Sequence, residues 1–95
     1  MDAERLFYRK NVEPNGYIVE MKIWQLPHLK DKSHSLKYSL VYIRDGKRVI
    51  CYDNAHGKGD HRHYGQKEHV YHFTDIDTLV EDFYSDIERL RRGEL

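Results

Sequence analysis

Polar and apolar positions alternate with a period of two over most of the chain and then change period once. In Tyr17 to Trp24 (YIVEMKIW), one face presents Tyr17, Val19, Met21 and Ile23, and the other Ile18, Glu20, Lys22 and Trp24. That is the pattern of a strand in a sheet with one covered and one partly wet face. Leu36 to Arg44 (LKYSLVYIR) repeats it, with Leu36, Tyr38, Leu40 and Tyr42 on one side. Asp45-Gly46 separates this run from Lys47 to Tyr52 (KRVICY), and Asp-Gly between alternating runs is a strong hairpin signal. Arg5 to Val12 (RLFYRKNV) predicts a weaker strand, joined to Tyr17–Trp24 through the turn residues Glu13-Pro14-Asn15-Gly16. His69 to Phe73 (HVYHF) predicts a last, short one. From there the period becomes helical: Ile76, Leu79, Val80, Phe83, Ile87 and Leu90 form one stripe. Thr74 is the expected cap. Asp75 and Asp77 oppose the positive helix end, Arg89, Arg91 and Arg92 suit the negative end, and Gly93 stops it.

These elements predict an α+β fold. A four- to five-stranded, mostly antiparallel sheet over about residues 5–73 carries one C-terminal amphipathic helix, about 75–92, packed across one face. The 95 residues make a single domain, 1–95. The stripe is a core face, because a small sheet needs such a lid to be stable.

Composition narrows the class. Aliphatic side chains are scarce, and eight Tyr, three Phe and one Trp supply much of the apolar bulk. No run approaches the roughly 20 apolar residues of a membrane span. The charged N-terminal residues lack a signal-peptide core. The lone Cys51 excludes an internal disulfide or a multi-Cys zinc site and reads as a small buried hydrophobe. A cytoplasmic, reduced protein is the expectation. Net charge is zero, which argues against a general nucleic-acid binder, yet it is unevenly spread. Residues 28–68 carry nine Lys/Arg against five Asp/Glu, with five of the seven His, and residues 74–95 carry three against seven. One face can therefore attract phosphate while the whole stays neutral.

The candidate chemistry lies in the long segment Asp53 to Glu68, DNAHGKGDHRHYGQKE, which is predicted to be irregular. His61 and His63 stand two apart, so on extended backbone they share a face. Two imidazoles so placed can flank one phosphodiester. One takes the proton of a ribose 2′-hydroxyl and the other protonates the leaving 5′-oxygen, a task suited to a side chain that titrates near neutrality. Asp60 can orient an imidazole, and Lys58 and Arg62 can stabilise phosphoryl charge, although Arg62 needs a bend to reach the same face. Gly57 and Gly59 let backbone approach an anion. With Tyr64 these four form the expected substrate-binding set. A second reading makes His61 and His63 metal ligands, completed by His56, Asp53 or Asp60. The bland alternative leaves the histidines exposed or stacked on Tyr52 and Tyr64. Separately, Trp24, Tyr42 and Tyr52 interleave with Lys22, Lys37 and Arg48 in the pattern of a stacking platform for single-stranded RNA.

The run YDNAHGKGDHRHYG, with the upstream EMKIWQLP and LKYSLVYIRDGKRVICYDN and the downstream TDIDTLVEDF, resembles the TumE family. These are small prokaryotic toxins encoded beside a helix-turn-helix antitoxin of the TumA type. The resemblance spans roughly Tyr17 to Leu90. It implies a toxin of a type II toxin–antitoxin pair, with ribonuclease action on RNA as the usual supposition, a TumA-like antitoxin as partner and no membrane. It carries over no catalytic assignment, so Asp60, His61 and His63 remain readings of the chemistry. The expected function is a metal-independent endoribonuclease without cofactor, with room for a homodimer. The alternatives are a non-enzymatic RNA- or protein-binding module and a His-ligated metal-binding protein.

Overall fold

Hairpins build the whole sheet in the computed structural model, which describes residues 4–26, 36–54 and 59–95. The strands are β1 (Glu4–Val12), β2 (Ile18–Gln25), β3 (Leu36–Arg44), β4 (Lys47–Asp53), β5 (His61–Tyr64) and β6 (Lys67–Val70), and the helix is α1 (Ile76–Arg91). Each strand pairs antiparallel with the next, so chain order is also spatial order. The turns follow their residues. Asp45 and Gly46 adopt φ of 52° and 76°, the left-handed pair that a tight hairpin between twisted strands requires. The Gly16 amide closes the first turn onto the Glu13 carbonyl at 2.8 Å.

The sheet has six strands, not four or five. The additional strand is HRHY, inside the segment expected to be irregular, and KEHV overlaps the end of that segment. No apolar alternation announces them, because β5 is only half-buried and β6 is exposed throughout. Backbone pairing holds them instead. Gly65 takes a positive φ of 63° in their two-residue turn and donates to the Val49 carbonyl at 2.9 Å. Tyr71 N donates to the Asp60 carbonyl at 3.0 Å, beyond the end of β6. The strand expected over His69–Phe73 therefore lies earlier, at Lys67–Val70.

The core forms between one sheet face and α1. Val19, Met21 and Ile23 of β2, Tyr38, Leu40 and Tyr42 of β3, and Ile50 and Tyr52 of β4 meet Leu79, Phe83 and Ile87 of the helix. Ile76, Val80 and Leu90 pack at its margin, so the whole predicted stripe faces inward. The helix cap is Asp75 rather than Thr74. Its Oδ1 accepts the Thr78 amide at 2.7 Å, satisfying a donor that the first helical turn leaves unpaired. Asn54 ties the ends of β3 and β4 together. Its Oδ1 accepts from Tyr38 N at 2.9 Å and its Nδ2 donates to the Leu36 carbonyl at 2.7 Å. All nine residues of β1 are exposed. Between this edge strand and α1 lies a hollow of about 560 Å³ lined by Leu6, Phe7, Ile76, Asp77, Val80 and Glu81.

Candidate functional site

The register converts the sequence into a grid on the face away from the helix. Side chains directly opposite each other in a ladder share a face. One row across the sheet therefore runs Tyr8, Lys22, Ser39, Asp53, His61 and Val70. The next runs Lys10, Glu20, Val41, Cys51, His63 and Glu68. His61 and His63 are thus neighbours on the open face. Both Nε2 atoms point at one carboxylate: His63 Nε2 lies 3.4 Å from Glu68 Oε2, and His61 Nε2 lies 4.0 Å from Glu68 Oε1. The Glu68 side chain is 51% exposed, so the point on which the imidazoles converge is open to solvent.

Beside them sits Cys51, whose Sγ donates to Asp53 Oδ2 at 3.5 Å. Burial, reinforced by the Asp53 charge, pushes its thiol up to about 12. It stays protonated at neutral pH and is no nucleophile, as its sequence context predicts.

Arg62 and Tyr64 face the other way. A straight, fully paired β5 turns them toward the helix, opposite Tyr52 and Ile50. Arg62 Nη1 donates to the Tyr52 hydroxyl at 3.3 Å, and its guanidinium lies 5.4 Å from the Tyr64 ring centroid. Both Tyr52 and Tyr64 donate to Asp86 Oδ2, the latter at 2.8 Å. Asp86 is buried on α1 and also pairs with Arg89 at 3.7 Å. Burial first, then the bond to Asp86, raises the Tyr52 phenol far above its ordinary range. Arg62 and Tyr64 therefore build the sheet–helix joint, on the face opposite His61 and His63, and the bend that Arg62 needed does not exist.

Asp60 precedes β5, and its carboxylate helps raise the Tyr38 phenol, after the larger effect of burial. With Gly59, His61, Val70 and Tyr71 it lines a hollow of about 280 Å³. Gly57 and Lys58 lie outside the described residues, as does His56. Among the described residues, no three His, Cys, Asp or Glu side chains gather as a metal ion would need. The expected stacking platform is divided as well. Tyr42 and Tyr52 are fully buried beneath the helix, and only Trp24 of the three rings lies on the open face.

Sequence reasoning missed Glu68 and Asp86. Glu68 lies eight residues before α1 begins and is marked only by its place opposite His63, which a register alone discloses. Asp86 stands next to Ile87 of the helix stripe, where an acidic residue on a core face was the available signal.

A family model described as "Toxin TumE" matches residues 1–91. The chain belongs to the TumE toxin family. No curated protein and no solved structure matches it. The match runs through all six strands and to the last residue of α1, so the TumE unit here is the whole sheet with its helix. A toxin family implies an antitoxin in general, and no helix among the described residues is long and apolar enough to cross a membrane.

Proposed function

We propose that this TumE-family toxin cleaves RNA without a metal, with His61 and His63 as its acid–base pair. The observation that carries this reading is the convergence of both Nε2 atoms on one exposed carboxylate. An orienting carboxylate usually holds an imidazole by the nitrogen that does not react. Glu68 instead occupies the space in front of both reactive tips, where a phosphodiester would lie. In the reaction, one imidazole accepts the 2′-hydroxyl proton as the 2′-oxygen attacks phosphorus. The other, protonated, gives its proton to the departing 5′-oxygen. The products are a 2′,3′-cyclic phosphate and a 5′-hydroxyl, and the two imidazoles end with their protonation states exchanged. Asp60 is proposed to orient an imidazole, and Asp53, across the ladder from His61, is a second carboxylate for the same task. Lys58 remains the proposed phosphate contact of the adjoining segment.

The partner is proposed to be a helix-turn-helix antitoxin that adds to the exposed β1 edge, where Leu6, Phe7, Tyr8 and Val12 stand in solvent. A second copy pairing through the same edge would compete with it.

The test is expression of the chain and of its His61→Ala/His63→Ala variant in cells lacking the antitoxin. The parent arrests growth and depletes RNA, and the double variant does neither while keeping the parental circular dichroism. Undiminished toxicity in the double variant overturns the assignment. Glu68→Gln is expected to cleave at least as fast as the parent, since it removes a competitor of the phosphate; a loss of cleavage comparable to that of the His variants would make Glu68 a required orienter instead.

A further inference from the structure

We infer that the open face carries a base-stacking subsite for single-stranded RNA, formed by Trp24 with Lys22 and Lys37. This rests on the reading that RNA is the substrate and specifies how it is held. Trp24 on β2 is paired directly with Lys37 on β3, and Lys22 lies two residues back on the same face as Trp24. Lys22, Trp24, Leu26, Lys37 and Ser39 line a hollow of about 450 Å³, wide enough to admit a base. Trp24 is partly exposed, and an indole with lysines beside it in the grid is the combination that receives a base and its flanking phosphates; the half-exposed Lys22 ammonium rests 3.9 Å from Glu20, which RNA phosphate would replace. Arg5, opposite Trp24 on β1, adds a third cation at this end of the face.

The grid supplies the second observation. Lys22, Ser39, Asp53 and His61 occupy one row, so the subsite and the imidazole pair are joined by a track running across the strands. Three strand spacings separate Lys22 from His61, about 14 Å, a distance bridged by a few nucleotides of extended RNA. The charges are graded along it. Cations gather at the Trp24 end, and Asp53 and Glu68 at the imidazole end, so backbone attraction is strongest at the subsite. Because the indole stacks only on a base freed from its own neighbours, duplex RNA is disfavoured.

Trp24 is the single tryptophan, so its fluorescence reads the subsite directly. The ligand is a short oligouridylate with 2′-O-methyl groups, which 2′-hydroxyl chemistry cannot cleave. The whole chain should show quenching of Trp24 by this oligonucleotide and little by the matching duplex. By anisotropy of a labelled oligonucleotide, Trp24→Ala weakens binding about tenfold and Trp24→Tyr retains most of it. Lys22→Gln/Lys37→Gln flattens the slope of log affinity against log salt by about 1.4. Absence of quenching, or parental affinity in Trp24→Ala with its fold intact, overturns the inference. So does a Trp24→Ala variant that binds RNA normally but loses its antitoxin, which would give the hollow to a protein. The two proposals fail separately. Unmodified RNA that binds with quenching yet stays intact refutes cleavage and supports the subsite. RNA that is cut while Trp24 stays silent refutes the subsite alone.

Discussion

Strand β5 directs Arg62 toward Asp86 and Tyr52 and its two flanking imidazoles toward Glu68, so neighbouring residues serve opposite layers. The H-x-H pair was legible because a period of two needs only extended backbone. The role of Arg62 was not, because its partners come from β4 and from a helix more than twenty residues away in sequence. Removing Arg62 should therefore act on stability. Arg62→Met is expected to lower the melting temperature while RNA affinity, measured well below that temperature, stays parental. Asp86→Ala leaves the buried Tyr52 and half-buried Tyr64 hydroxyls without their acceptor and should cost about 3 kcal/mol in urea unfolding. Asp86→Asn keeps an acceptor and should cost less. Cys51→Ser is expected to remain toxic, since a thiol held protonated takes no part in the chemistry.

Elements with apolar alternation were visible in the sequence, and the polar ladder β5–β6 was not, since its strands are fixed by neighbours and turns rather than by a buried face. Turn chemistry is testable where it is strict. Gly46 sits at φ 76° with open space around it, so Gly46→Val adds backbone strain without a clash and should cost about 1–2 kcal/mol. The helix start depends on pH. The Thr78 amide holds the Asp75 carboxyl below its ordinary range, so the folded state binds this proton more weakly than the unfolded chain does. Its contribution is present above the ordinary Asp range near about 3.9 and is lost as pH falls through the folded value. Stability curves of the parent and Asp75→Ala should differ at neutral pH and converge in acid. At the sheet edge, Phe7→Lys places a charge in the hollow between β1 and α1 and is expected to leave the chain toxic but no longer neutralised by its antitoxin.

At the scale of the molecule, zero net charge conceals an uneven distribution. The acidic tail becomes α1 on one side of the sheet, while Arg5, Lys10, Lys22, Lys37 and the imidazole pair share the other with Glu20, Asp53 and Glu68. The sequence disclosed the asymmetry, and only the register discloses the face. The aromatic core has its own pH signature. Cys51, at about 12, binds its proton more tightly in the folded state than in the unfolded chain, where about 8.5 is ordinary. Burial also raises Tyr38, Tyr52 and Tyr71. Their joint contribution is complete below the unfolded values and declines as pH rises, so unfolding free energy should fall above about pH 9, less steeply in Cys51→Val. The claim on which the rest depends is that the paired imidazoles cut RNA. It is tested most directly by incubating purified toxin with unstructured RNA in the presence of a chelator and identifying the new ends. The expected result is 2′,3′-cyclic phosphate and 5′-hydroxyl termini, with the rate reduced about 10²- to 10⁴-fold in His61→Ala and in His63→Ala. Uncut RNA, or the same termini at the parental rate from both variants, would contradict it.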